Sequence, residues 1–169
     1  MSSGLPATVD PISLADAGAR LTGELPVKAM GRLRAMCLDD EGQATAELHF
    51  ERSGDEGLRQ MRGTITAEVH AACQRCLEPM TLVLKAEPSL VLVKPEERSD
   101  LLEQQSEVLV ADKPISLSSI IEDELLLAMP MIPMHDVGEC PAGKRFRAQQ
   151  RSSGENPFAV LNKLKQKQE

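Results

Sequence analysis

Apolar and polar residues alternate along the first hundred residues in a way that predicts β-strands. An alternation with a period of two places every second side chain on the same face, so one face is buried and the other is solvated. Turn segments rich in Asp, Gly and Ser separate the alternating stretches. The stretches are residues 44–51, 61–71 and 80–85, the last of which residues 90–93 extend.

Two further segments complete the predicted sheet. Residues 27–37 alternate in the same way and predict a strand with Arg32 and Arg34 on its polar face, and residues 108–110 predict a short edge strand. Consecutive strands joined by short turns usually pair antiparallel. We therefore expect an antiparallel β meander of four to five strands with one solvated face.

Helical signals flank this sheet and make the expected fold class α+β. A first short helix is predicted from a cap at Asp10 or Ser13 to near Gly23. A second helix begins near Ser116 and is stopped by Pro130, which cannot continue it. This second helix is expected to cover one face of the sheet.

The chain divides into an α+β core domain at 1–140, a basic flexible linker at 141–155 and a C-terminal amphipathic basic helix at 156–169. Asn156 is a suitable helix cap, and Pro157 suits the first helical position. A helix this short is not stable alone. It packs either on its own sheet or in a groove of a partner. Its apolar face is formed by Phe158, Leu161 and Leu164.

Charge is distributed unevenly along the 169 residues. The chain has 19 Lys and Arg against 26 Asp and Glu, a formal charge of −7. Residues 141–169 hold seven basic and two acidic residues, a net of +5, which leaves −12 for residues 1–140. An acidic body disfavours naked RNA as a partner, except through Arg32, Arg34 and the basic tail. A protein partner is therefore at least as suitable as RNA.

Composition excludes several classes of function. The chain has no Trp, no Tyr and three Phe, too few rings for a module that stacks RNA bases. The start resembles no secretory signal, and the longest apolar run, 125–134, is short and broken by prolines. We expect a cytoplasmic protein with no membrane partner and no small-molecule substrate. A phosphate-binding loop is absent and no nucleophile accompanies His135, which argues against an enzyme.

Cysteines suggest half of a metal site. Cys73 and Cys76 form a Cys-x-x-Cys on a predicted hairpin turn, a geometry that lets two thiolates converge on zinc. The other half would come from His135 and Cys140, with His70 or Cys37 as further candidates. The sequence does not fix their distance from Cys73, so ordinary reduced thiols are favoured and no cofactor is expected. A thiol oxidoreductase is a weaker alternative, because no βαβ pattern surrounds the motif.

The predicted second helix carries three adjacent acidic residues, Glu122, Asp123 and Glu124. On a helical wheel Glu122 and Asp123 fall outside the apolar arc, whereas Glu124 lands near its centre. The residues of this arc are Leu117, Ile120, Ile121, Leu127 and Ala128. An unpaired buried carboxylate is costly. We therefore expect Glu124 to pair with backbone donors or with a cation, such as His135 or an arginine of the sheet, or to face an opening in the core.

Three motifs together resemble the YceD-like family of large ribosomal RNA subunit accumulation proteins. In order and spacing they cover roughly residues 70–165. The motifs are Cys73-Gln-Arg-Cys-Leu-Glu-Pro79, the run Ile121-Glu-Asp-Glu-Leu-Leu-Leu-Ala-Met-Pro130 with His135-Asp136, and Glu155-Asn-Pro-Phe-Ala-Val-Leu161 with Leu164-Lys165.

The resemblance implies a non-enzymatic bacterial or plastid factor for accumulation of large-subunit (23S) ribosomal RNA. Its partner would be pre-ribosomal RNA or a large-subunit assembly protein. Some members of the family carry a second Cys-x-x-Cys, whereas only Cys140 stands in that region here, which argues against a metal in this chain. The residues assigned to partner or RNA binding are Arg75, Asn156, Pro157, Phe158, Leu161, Lys163 and Lys165.

Overall fold

The computed structural model describes residues 5–53, 57–97, 107–136 and 138–145. Eight strands and three helices lie in these ranges, together with short 3₁₀ turns and a helical turn at residues 141–145. In chain order they are β1 Thr8–Val9, α1 Pro11–Ala17, β2 Arg20–Pro26, α2 Gly31–Ala35, β3 Gln43–Ser53, β4 Leu58–Ala72, β5 Pro79–Ala86, β6 Ser89–Val93, β7 Val108–Val110, β8 Ile115–Ser116 and α3 Leu117–Ala128.

Six of these strands form one mostly antiparallel sheet, which confirms the α+β class. The sheet has six strands and not the predicted four to five, and it departs from a simple meander because β6 pairs with β4 and not with β5. The order is β2-β3-β4-β6-β7, and β5 also pairs with β4. All pairings are antiparallel except β6 with β7, which is parallel. The predicted extension at 90–93 is a strand of its own, since β5 and β6 pair with different parts of β4. A second, two-stranded sheet joins β1 to β8.

One face of the sheet is buried, as the alternation predicts. Every second residue is buried over residues 44–50 of β3 and 65–71 of β4, including Phe50 and Ile65, and Met61 of β4 is buried as well. Helix α1 packs on β3 and β4, whereas α3 packs on β4 and β5. Both helices contribute apolar residues to a single core cluster. The opposite face of β3 and β4 carries charged and hydroxyl side chains in solvent.

The strand predicted at residues 27–37 is wrong. This segment forms a 3₁₀ turn followed by α2, with Leu33 fully buried. The physical reason is the carboxylate of Glu122, which accepts the N–H groups of Arg32 and Leu33 at 2.6 and 3.1 Å and so caps the start of α2. Arg32 and Arg34 therefore do not lie on a strand.

Helix α1 is capped as predicted but is shorter than expected. The Asp10 side chain accepts the N–H groups of Ile12 and Ser13. The helix ends at Ala17, because Gly18 adopts φ +63° and terminates it. The chain then enters β2, so the predicted end near Gly23 is wrong.

The expected division at residue 140 is only partly within the described ranges. Residues 141–145 form a helical turn, so the predicted linker is helical at its start. The rest of the predicted linker and the predicted helix at 156–169 lie outside the described residues. Within the described ranges, no helix has both the length and the apolar composition to span a bilayer.

Candidate metal centre

The Cys-x-x-Cys pair lies on the turn between β4 and β5, as predicted. The N–H of Cys73 donates to the carbonyl of Glu78 at 3.0 Å, and the N–H of Leu77 donates back to Cys73 at 2.8 Å. The N–H of Gln74 also donates to the carbonyl of Pro133 at 2.8 Å. This last bond attaches the turn to the proline-rich segment that follows α3, and that segment leads directly to His135.

Cys73, Cys76, His135 and Cys140 meet at this point. Each offers one ligand atom, and the four atoms lie within 4.8 Å of one another. Cys73 and Cys140 are buried, whereas Cys76 and His135 are partly accessible. The Sγ of Cys76 is 3.4 Å from Nδ1 of His135. The structure thus supplies the proximity that the spacing alone does not determine.

Backbone donors surround the sulfurs of Cys73 and Cys140. Burial alone would raise the pKa of Cys73, but the N–H groups of His135, Arg75 and Cys76 outweigh it and lower the pKa to about 5. Burial would also raise the pKa of Cys140, where the N–H groups at the start of the helical turn 141–145 contribute to a net lowering. These donors favour thiolate over thiol.

His135 is oriented by a second hydrogen bond on its far side. Its Nε2 lies 3.2 Å from the carbonyl oxygen of Pro79 and donates to it, which leaves the lone pair of Nδ1 directed at the sulfurs. The Cys73 sulfur raises the pKa of His135, with burial opposing. A carbonyl that fixes the tautomer of a histidine is the usual outer partner of a metal ligand.

The thiol oxidoreductase alternative requires a reactive cysteine. Cys73 has the lowered pKa, but its side chain is 0% exposed. Burial is the largest influence on Cys76 and raises its pKa, and the neighbouring Cys73 and Cys140 sulfurs raise it further. A redox thiolate has to be both ionised and accessible. The arrangement here suits ligation better than attack on a disulfide.

The two further candidate ligands do not join the cluster. The Sγ of Cys37 donates to the carbonyl of Leu33 at 3.2 Å, and burial raises its pKa. His70 lies 2.9 Å from a carboxylate oxygen of Asp39 on the solvated side. Both residues are therefore suitable controls for substitutions in the cluster.

The acidic motif of α3 is used differently from the prediction. Glu122, not Glu124, is the buried carboxylate, and it is bound by Arg32 at 2.8 Å. Arg32 also pairs with Asp123 at 2.6 Å. Within the described ranges Glu124 has no ion-pair partner, so its expected pairing with His135 or an arginine is wrong. Pro130 follows the helix end, as predicted.

Arg75 lies half-buried in the turn rather than projecting into solvent. Its Nη2 is 3.5 Å from the sulfur of Met134, and its Nη1 is buried without a hydrogen-bond partner in the part of the chain that the structure describes. The other residues assigned to partner binding lie outside the described residues. They are Asn156, Pro157, Phe158, Leu161, Lys163 and Lys165.

Sequence reasoning overlooked two elements of this region. The carbonyl of Pro79 has no signature in the sequence, since any residue provides a carbonyl. The contact between α2 and α3 through Arg32 and Glu122 was hidden because the segment of Arg32 was assigned to a strand. The adjacent acidic residues of α3 were the one available signal that a basic partner is required.

Comparisons with known proteins assign the chain to a group of relatives. A sequence model of the family described as "Large ribosomal RNA subunit accumulation protein YceD" matches residues 61–165, a range that includes all four residues of the cluster. The large ribosomal RNA subunit accumulation protein YceD of Haemophilus influenzae is 31% identical over 170 residues, covering 96% of this chain and 97% of the relative. No solved structure matches the chain significantly.

Proposed function

This chain belongs to the YceD family of large ribosomal RNA subunit accumulation proteins, and we propose that it is a cytoplasmic, non-enzymatic factor that supports accumulation of the large-subunit (23S) ribosomal RNA. The observation that carries the proposal is the alignment to the Haemophilus relative over 96% of this chain. The alignment includes both the sheet and the basic C-terminal segment, so the proposal concerns the whole chain.

The factor acts by binding pre-ribosomal RNA or a large-subunit assembly protein through its basic tail. Residues 1–140 carry −12 and repel phosphate as a whole, whereas residues 141–169 carry +5. The ion pairs of Arg32 further support this assignment, because its guanidinium is already bound by Glu122 and Asp123. The tail is then the main cationic region available to an RNA partner.

A non-enzymatic role is supported by the contacts of two surface carboxylates, Asp10 and Asp16. A depression of about 560 Å³ beside α1 is lined by Asp10 and Asp16, among others. Asp10 caps α1, and Asp16 pairs with Arg52 and Arg59. Carboxylates already engaged in these contacts are poor general acids or bases for a bound substrate.

The second candidate function is a zinc-binding regulator or a small zinc-dependent enzyme that uses Cys73 and Cys76. The cluster of four ligand atoms favours metal binding. It does not favour the enzyme, since a catalytic zinc site has three protein ligands and an open position for water or substrate. The metal is therefore compatible with the ribosomal role as a structural element.

Complementation tests the proposed function. A bacterial strain that lacks its own family member is expected to recover normal amounts of large-subunit ribosomal RNA, relative to small-subunit RNA, when the full chain is expressed. A chain truncated before Asn156 is expected to fail and to stop sedimenting with large-subunit precursors. Full recovery with the truncated chain would show that the tail does not bind the target, and failure of the full chain would contradict the proposed function.

A further inference from the structure

We propose that Cys73, Cys76, His135 and Cys140 bind one structural zinc ion, which cross-links the β4–β5 turn to the root of the basic C-terminal segment. The binding of zinc does not depend on the proposed function. The expected effect of this link on the accumulation of ribosomal RNA does rest on the proposed function.

The distances are close to those of a tetrahedral site. A tetrahedron with Zn–S bonds of about 2.3 Å has edges of about 3.8 Å. The four ligand atoms lie within 4.8 Å of one another, so each pair has to approach by at most about 1 Å. Such an adjustment is small for side chains on a turn and on an irregular segment.

The environment of the sulfurs is built for negative charge. The Cys73 sulfur accepts the N–H of His135 at 3.4 Å, and the backbone N–H groups of Arg75 and Cys76 also face it. Those of Ala142 and Gly143 face the Cys140 sulfur in the same way. Cys76 receives the N–H of Glu78. Backbone donors therefore face the sulfurs in both halves of the site, although the two halves lie about 60 residues apart in sequence.

The identity of the metal follows from the donor set. Three thiolates and one imidazole suit zinc, whereas magnesium and calcium require oxygen ligands. Four protein ligands fill the tetrahedral shell, which is the pattern of a structural rather than a catalytic site. The hydrogen bond from His135 to the carbonyl of Pro79 holds the imidazole in the tautomer that a metal requires.

The ion would hold the segment that follows α3 against the β4–β5 turn, and few other contacts of the described residues do so. The segment from Pro130 to Asp136 has no helix or strand, and its Met131 is fully exposed. Apart from the cluster, its connection to the turn includes the bond from Gln74 to Pro133 and the contact of Arg75 with Met134. A metal that joins segments about 60 residues apart removes much conformational freedom from the unfolded chain.

Metal analysis of the full chain, purified without chelators, tests the site. We expect about one zinc per chain in the wild type and near-complete loss in Cys73→Ser and Cys140→Ser. Cys37→Ser is the matched control, because Cys37 bonds to Leu33 outside the cluster, and it should retain zinc. His135→Ala should lose zinc, whereas His70→Ala should retain it.

Cobalt substitution tests the site in the wild-type chain, so its result does not depend on whether the variants fold. Zinc is removed from the wild-type chain with a strong chelator under reducing conditions, and cobalt(II) is then added. We expect the intense visible bands of tetrahedral cobalt together with thiolate-to-cobalt charge transfer. The spectrum of octahedral cobalt, a wild type purified without zinc, or zinc retained in Cys73→Ser would overturn the site.

A complementation assay separates this inference from the proposed function. If the cross-link positions the tail, Cys140→Ser should fail to restore large-subunit ribosomal RNA although its tail is intact, whereas Cys37→Ser should restore it. If Cys140→Ser loses zinc and still complements fully, the link between metal and tail is wrong. If the wild type binds zinc and does not complement, the proposed function fails while the metal site stands.

Discussion

Glu122 connects two helices that are distant in sequence. Its side chain is 9% exposed and accepts two backbone N–H groups at the start of α2 as well as the guanidinium of Arg32. Burial would raise the pKa of Glu122, but the N–H of Leu33 and the bonds from Arg32 outweigh it and hold the pKa below its usual value of 4.5. The ionised form therefore stabilises the folded state.

Glu122→Gln should lower the free energy of unfolding at pH 7 by roughly 1–2 kcal/mol, a moderate value because Arg32 is half exposed. The folded pKa lies below the unfolded one, so the stabilisation is present above about pH 4.5 and is lost as the pH falls below it. Urea unfolding measures the difference in the free energy of unfolding between wild type and variant at pH 7 and again at roughly pH 3.5, which lies below the pKa of an unfolded glutamate.

Glu124→Gln is the matched control on the same helix. Burial, then Glu107 and Asp123, raises the pKa of Glu124, so its ionisation destabilises the folded chain. This variant should be as stable as the wild type or more stable at pH 7. Equal losses in both variants would contradict the assigned role of Glu122.

The helical wheel indicates Glu124 as the acidic residue on the buried face, whereas the structure buries Glu122, two positions earlier. Its geometry was sound for Glu124, which is half-buried, but it assumed that burial follows one arc. Leu127 is 82% exposed although it belongs to the predicted apolar arc, and Glu122 is buried because α2 covers it. Partners from remote segments decide such positions, and a single helix does not reveal them.

At the scale of elements, strands with a long alternation were predictable and α2 was not. Residues 43–51 of β3 alternate without interruption, and a strand is the regular structure with that period. Leu33, Ala35 and Cys37 alternate as well, but only five residues form α2, which is too few to show a helical period. The cap of α2 comes from 89 residues away.

The pairing of β3 with β4 depends on a position without a side chain. A Cβ added to Gly63 would collide with the carbonyl oxygen of Glu47 on the neighbouring strand. Gly63→Ala should therefore force the two strands apart and lower the free energy of unfolding by about 1–3 kcal/mol. Chemical denaturation followed by circular dichroism measures the loss.

Gly31→Ala is the control for that substitution. A Cβ at Gly31 meets no atom within 4 Å, and the residue opens α2. This change should leave stability unchanged or raise it by up to about 1 kcal/mol, because alanine restricts the unfolded chain. A Gly63→Ala chain as stable as Gly31→Ala would show that the strands adjust without cost.

At the scale of the whole molecule, the sequence predicted the antiparallel pairing of most strands and the two cysteines that form half of the Cys/His cluster. Turn-linked strands determine their neighbours locally, which is why β3, β4 and β5 could be ordered, whereas β2 was not predicted as a strand. The parallel pairing of β7 and the contact between His135 and Cys73 join segments that are far apart in the sequence. Local patterns do not determine the distance in space between such segments. For the same reason the sequence alone favours ordinary reduced thiols at Cys73 and Cys76.

The separation of an acidic body from a basic tail predicts how association with ribosomal precursors responds to salt. If Lys163, Lys165 and Lys167 neutralise RNA phosphates, each releases counterions, and the affinity falls steeply as salt increases. Replacing all three by Gln should reduce the slope of log affinity against log salt by about 2. Co-sedimentation of the purified chain with large-subunit precursor particles over a series of salt concentrations measures the slope.

Three lysines of the body provide the matched control. Lys28, Lys85 and Lys113 are exposed, and Lys85 pairs with Glu87 at 2.6 Å. They stand on a surface of net negative charge, so replacing them by Gln should leave the slope unchanged. If the tail variant also keeps the wild-type slope while truncation before Asn156 abolishes association, the apolar face of the tail binds a protein partner and the lysines do not contact RNA.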